Sequence, residues 1–258
     1  LLGISFPMFP YAVKLFFIPL LALSVTAIIY GAYVTLMQKD MKRLIAYSSV
    51  SHMGFVTLGI FCLNQNGIEG GILQMINHGI ITGALFLCVG MIYERTHTRM
   101  IEDYGGLFKT VPIYIVFFTI FSLAAIGFPG MNAFIGEFLI ISGAFKANMV
   151  IAAFSILGVI LGASYMVWLY YRVALNEINP NTKAQLTDLD LREIAILLPL
   201  VILVFLIGLQ PEVLLSYMHV SVEHLLERIH ATLPIENLPV YDSMASFAQY
   251  LKEIIGWT

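Results

Sequence analysis

Glu137 is the residue whose type and setting most clearly invite chemistry. It follows Ile126-Gly127-Phe128-Pro129-Gly130-Met131-Asn132-Ala133 inside the long apolar run 112–145. A carboxyl withdrawn from water favours its neutral form, whereas a helix N-terminus favours the anion by about 0.3–2 kcal/mol. A group held between those pulls gains and gives up a proton, as a proton carrier must. His52 and His78 fall near the centres of two other apolar runs. Imidazole donates from one nitrogen and accepts at the other, so it hands protons along water. Ser48 and His52 are four residues apart and share a helix face. Gln74, His78 and Thr82 repeat that spacing as a polar stripe, with Asn77 beside it. Each group also has a plainer reading: the carboxyl bonded to irregular backbone, each imidazole bonded to a neighbouring helix. One acid with two imidazoles favours a relay. Lys42, in the basic cluster Lys39–Arg43, either snorkels at a helix end or lends charge to a channel mouth.

These residues need apolar helices to position them. The chain has 258 residues, 59% hydrophobic and 11% charged, less than half the charge of a soluble domain, about 25%. A bilayer core of about 30 Å calls for about 20 apolar helical residues. Runs 12–36, 43–63, 70–93, 112–145, 148–171 and 192–216 meet that length, and residues 1–6 read as the end of an earlier, truncated span. The fold class is therefore an all-α polytopic membrane protein with about six transmembrane helices. The chain opens on Leu1, so it is read as a piece of a longer protein. The run 112–145, as one helix, would measure about 51 Å and overshoot the bilayer core by about 20 Å. Pro129 removes a backbone donor, and Gly127 and Gly130 flank it. The expectation is two half-helices joined by extended chain near mid-membrane, the arrangement typical of ion sites in transporters. A simple proline kink is the alternative.

Charge gathers in the connectors. Lys39, Lys42, Arg43, Arg95, Arg99, Lys109, Arg172, Lys183 and Arg192 fall on one side; Lys14, Lys146, Arg228 and Lys252 fall on the other. The richer side should be cytoplasmic, or the mitochondrial matrix, which puts the C-terminus opposite. The connector with Asn179-Pro180-Asn181 is loop chemistry. Residues 217–258 form a tail in which Val220 to Ile229 is mildly amphipathic and suits the membrane interface; disorder or packing against a neighbour is as good a reading. Gly79-xxx-Gly83 and Gly158-xxx-Gly162 allow close helix packing. Tyr165, Trp168, Tyr170 and Tyr171 read as interfacial anchors. Cys62 and Cys88 make neither a disulfide framework nor a zinc spacing, and His97, His219, His224 and His230 converge on no metal site. The sequence has no phosphate loop, dinucleotide fingerprint or nucleophile elbow, and no basic run suited to nucleic acid.

The string Asp40-Met41-Lys42-Arg43-Leu44-Ile45-Ala46-Tyr47-Ser48-Ser49-Val50-Ser51-His52-Met53-Gly54-Phe55 resembles a signature of the antiporter-like membrane subunits of respiratory complex I. So do Asn77-His78-Gly79 with Ala84-Leu85-Phe86-Leu87, Tyr93-Glu94-Arg95-Thr96-His97-Thr98-Arg99, Tyr104-Gly105-Gly106-Leu107 and Phe134-Ile135-Gly136-Glu137-Phe138, a match reaching about Tyr217. The resemblance implies fourteen helices in two inverted five-helix repeats, of which residues 1–216 would be the second repeat plus the final helix. The family's central lysines would lie outside this chain. His52 and His78 match its proton-path histidines, and Glu137 matches the ionisable residue on its broken helix; sister subunits L and N usually carry lysine there. The implied function is proton translocation in a bacterial plasma membrane or mitochondrial inner membrane, beside other membrane-arm subunits such as those sisters and within the lipid bilayer. No cofactor is implied on this chain: NADH, FMN, iron–sulfur clusters and quinone would belong to other subunits. The alternatives are a subunit of a multi-subunit cation/proton antiporter or membrane-bound hydrogenase, or a purely structural anchor.

Overall fold

The structure is a computed structural model that describes residues 5–177 and 186–232. The described residues fold as helices, with one isolated bridge between Asp40 and Met100. A short turn, α1 (Ser5–Met8), precedes α2 (Pro10–Leu36), α3 (Met41–Phe61) and α4 (Gln65–Thr96). Then come α5 (Pro112–Ile126), α6 (Asn132–Ala147), α7 (Met149–Tyr170) with a π-helical turn at Tyr171–Leu175, α8 (Leu191–Leu209) and α9 (Glu212–Thr232). Among the described residues five helices are long and apolar enough to cross a membrane: α2 from Leu15, α3, α4, α7 extended to Leu175, and α8.

Local chemistry sets the ends. Asp40 starts α3 by accepting from Lys42 N at 2.8 Å and Arg43 N at 3.1 Å. Asn64 accepts from Gly67 N at 2.9 Å to start α4, and Asp190 with Glu193 forms a capping box at α8. The start of α5 is capped from a distance, since Asp188 accepts from Ile113 N at 2.9 Å and Tyr114 N at 3.0 Å. Arg95, in the last turn of α4, holds Glu193 through two nitrogens, at 2.8 and 2.6 Å, and bonds the carbonyls of Thr187 and Asp188. One polar knot thus ties the end of α4 to the starts of α5 and α8. The Lys39–Asp40 and Arg99–Ile101 connectors join at that end through Met41 N to Arg99 O and Ile101 N to Lys39 O, at 2.9 and 2.8 Å.

Among the described residues three buried apolar clusters fill the seams, two of them large. One gathers Leu44, Phe118, Phe121, Leu169 and Val204; the other gathers Phe17, Ile28, Phe55, Leu58 and Ile140. The outer faces stay apolar as well, with Tyr30, Val116, Ile160 and Ile202 exposed, as lipid contact allows and water would penalise.

Several expectations change. The third run extends to Gln65–Thr96, and the last span ends at Leu209, ahead of Gln210-Pro211, rather than at 216. The run 112–145 is not a kinked rod: it is α5 and α6, separated at Gly127–Met131. At about 1.5 Å per residue, α5 is about 22 Å long, short of a bilayer core. Gly158 packs against Ile28 and Phe55, but among the described residues nothing comes within 4 Å of where a Cβ on Gly79 or Gly83 would sit. The Asn179-Pro180-Asn181 loop, Lys183, residues 1–4 and residues 233–258 of the tail lie outside the described residues.

Candidate functional site

The break is built by ordinary helix termination. Gly127 N donates to Ala124 O and Phe128 N to Leu123 O, both at 3.1 Å, the paired bonds of a Schellman end. That end needs a left-handed residue, and Gly127 has φ +78°. Pro129 then bars the helix from resuming, and Gly130, at φ +91°, turns the chain beside Leu209. Met131 is extended and precedes the first turn of α6 without a side-chain cap.

Glu137 faces inward from α6 and is 5% exposed. Its carboxylate folds back over the break: a Cβ added to Gly127 would sit 2.7 Å from Glu137 Oε2. Gln74 of α4 donates from Nε2 to Glu137 Oε1 at 3.2 Å. That approach depends on Gly136, where an added Cβ would strike the Gln74 side chain. Asn77 Nδ2 donates to the Asn132 carbonyl at 2.8 Å, fixing α4 to the first residue of α6.

His52 of α3 completes the acid–imidazole pair. Its Nδ1 lies 3.5 Å from Glu137 Oε1, and its Nε2 lies 3.1 Å from the Tyr165 hydroxyl. The outer limit of hydrogen bonding is about 3.5 Å, so a proton crosses directly only after a shift of a few tenths of an ångström, or through one water. The His78 ring centre is 5.9 Å from that of His52. Ser48, His52, Gln74, His78, Thr82 and Ala133 surround a small cavity between α3, α4 and the break. It has room for about one water. Among the described residues, buried His78 Nε2, Asn77 Oδ1 and both amide atoms of Asn132 find no protein partner. Buried polar atoms of that kind are ordinarily satisfied by water.

Of the residues singled out from the sequence, Glu137, His52 and His78 come together, with Gly127 against the carboxylate. Lys42 stands apart, exposed in the first turn of α3 and about 15 Å along the helix from His52. Two members were missed. Tyr165, read as an interfacial anchor, is fully buried and holds His52. The available signal was its register: Ser155, Gly158, Gly162, Tyr165 and Leu169 follow one helical face, and that face is buried. Asn132 gave no signal, because its placement depends on where α6 begins. The site has acceptors, donors and imidazoles in reach of one another but no strong nucleophile. It is equipped to bind and pass protons.

A family model described as NADH:quinone oxidoreductase/Mrp antiporter, transmembrane, matches residues 1–162. The chain is 50% identical over 227 residues to NADH-ubiquinone oxidoreductase chain 4 of Marchantia polymorpha, covering 88% of this chain and 46% of the relative. It is 47% identical over 232 residues to NADH-quinone oxidoreductase subunit M of Rhodobacter capsulatus, covering 90% and 45%. A chain of respiratory complex I from Thermus thermophilus with bound NADH superposes with a TM-score of 0.82 at 33% identity, covering 87% of this chain and 48% of that one. A chain of the Mrp complex from a Dietzia species gives 0.74 at 20% identity, covering 85% and 50%, a likeness of fold alone. The chain spans about half the length of the curated relatives it matches.

Proposed function

The chain belongs to the NADH:quinone oxidoreductase/Mrp antiporter transmembrane family, and from that premise we propose that it translocates protons in the membrane arm of an NADH-quinone oxidoreductase, as the counterpart of subunit M or chain 4. The observation that carries the reading is Glu137, buried at the helix break with His52 Nδ1 at 3.5 Å and no Lys or Arg among its ion partners in the described residues. A carboxylate locked to a guanidinium would be a structural ion pair. A carboxylate facing an imidazole and an amide has partners in either protonation state.

In this reading a proton enters by way of His78 and His52, with water in the cavity bridging the rings, and rests on Glu137. Tyr165 orients His52 so that Nδ1 faces the acid. Lys42 adds positive charge at the α3 end of the path. Charge changes in a neighbouring subunit act on Glu137 and His52 together, since the two groups face each other. Electron transfer, with NADH, FMN, iron–sulfur clusters and quinone, is assigned to other subunits. The partners are other membrane-arm subunits, including the sisters L and N. The membrane is a bacterial plasma membrane or a mitochondrial inner membrane, and the C-terminus faces the periplasm or intermembrane space. The excess of basic residues on the opposite connectors supports that orientation. The likeness to complex I subunits, at 47–50% identity, favours this reading over a cation/proton antiporter, whose match is more distant.

Glu137→Gln in the intact complex tests it. The amide keeps the shape and loses the proton. Proton transport into membrane vesicles should fall by about a hundredfold while the complex still assembles. Wild-type transport at wild-type NADH oxidation would overturn the assignment.

A further inference from the structure

Among the described residues, a second buried carboxylate meets an imidazole from another helix. Glu69, in the second turn of α4, is 6% exposed, and its Oε1 lies 2.9 Å from His219 Nδ1 of α9. The Gln65 side chain donates to the same carboxylate oxygen and, at 3.1 Å, to the His219 carbonyl. The carboxylate is dry, but the His219 side chain is 62% exposed. Around the pair, Met218, Val222 and Leu226 rest on Ile68 and Ile72. Farther along α9, Ile229 is fully buried and Leu225 packs beside it against the cluster of Phe17 and Ile140, so the polar contact fastens the first half of α9 and apolar packing the second. Helical spacing puts Glu69 on the flank of α4 shared with Ile76, Gly83 and Leu87, away from the Gly67, Gly70 and Gln74 flank that meets α6. The pair is therefore separate from the Glu137 site.

We propose that Glu69 and His219 form a proton-operated clasp that fastens α9 to α4. It closes when a protonated imidazole faces the ionised carboxylate. Alkaline solution removes the imidazole proton and leaves only a neutral hydrogen bond; strong acid neutralises the carboxylate. The other titratable groups of α9 are Glu212, Glu223, His224, Glu227, Arg228 and His230. On α9, Glu212 lies about two turns before His219 and Glu223 about one turn after it. His224 and Glu227 bond each other at 3.3 Å on the exposed side. The turn α1, which touches α9, has no ionisable side chain, and neither does the last turn of α8. The clasp stands whether or not the chain moves protons.

Hydrogen exchange of the α9 backbone amides, in the full protein in its membrane and corrected for intrinsic rate at each pH, reads the clasp. At pH about 6.5, Glu69→Gln and His219→Gln should each speed α9 exchange about tenfold, and the double variant should be no faster than the faster single one. By pH about 9 the wild-type protein should approach the variants, while α4 amides keep their protection. Equal α9 protection in wild type and variants at the lower pH would overturn the clasp, as would a pH response that survives in His219→Gln. The wild-type series needs no variant to fold: α9 protection that does not change with pH relative to α4 would also overturn it.

Discussion

The pairs Glu137–His52 and Glu69–His219 use the same two side-chain types, and both acids are buried. Their surroundings differ in three respects. The inner carboxylate lies against a helix break, whereas the outer one rests on unbroken helix. The inner imidazole is held at both ring nitrogens, by Glu137 and by Tyr165, whereas the outer one is largely in water. The inner pair opens on a polar cavity shared with His78, and the outer pair is walled by Ile68, Val222 and Leu226. Residue type alone therefore decides little. In the readings proposed above, an acid–imidazole contact serves as a relay where a further proton acceptor lies in reach, and as a fastener where none does.

The sharpest way to break this contrast is at the backbone under the inner acid. Gly127→Ala puts a side chain into a left-handed residue and drives it at Glu137 Oε2. The strain and the overpacking together should cost about 2–4 kcal/mol. Thermal inactivation of the assembled complex should come several degrees earlier, with proton transport lost in step. Normal stability and transport would mean the carboxylate does not need its perch on the break. Tyr165→Phe is milder. It removes one bond to His52 and leaves a buried imidazole nitrogen without that partner, worth about 1–2 kcal/mol, so proton-coupled turnover should fall about tenfold with the fold intact. Unchanged turnover would show that Tyr165 merely fills space. The smallest effect is expected from the outer pair: Glu69→Gln should keep turnover within about twofold, because one neutral hydrogen bond replaces a charged one away from the path. A loss as large as that of Glu137→Gln would erase the distinction between the two pairs.

Much of this was legible in the residues. The length of the apolar run and the Gly-Phe-Pro-Gly sequence announce the break, because they are the chemistry of a helix C-terminus followed by a residue that cannot continue it. His52, His78 and Gln74 were legible as polar residues that an apolar span has no reason to carry unless they face inward. What the sequence hid were contacts between helices far apart in the chain. Tyr165 has two plausible roles in a membrane helix, and only its neighbour across α3 selects one. Asp188, in a connector, caps α5 from a position remote in sequence. Glu69 fell just outside the expected third span, and its burial comes from α9, whose docking is set by tertiary packing rather than by its own weak amphipathic pattern. Gly79 and Gly83 show the opposite case: small residues at packing distance that, among the described residues, meet nothing within 4 Å.

Between α5 and α6 the backbone bonds are the two that close α5, from Gly127 N and Phe128 N, and one inside the linker, Met131 N to Phe128 O. A kinked rod would keep most of its ladder and transmit tilt along its axis. Here the two halves meet at a joint of irregular backbone, and the side chain resting on that joint is Glu137. In the proposed reading, a change of charge on Glu137 would therefore act directly on the joint between α5 and α6.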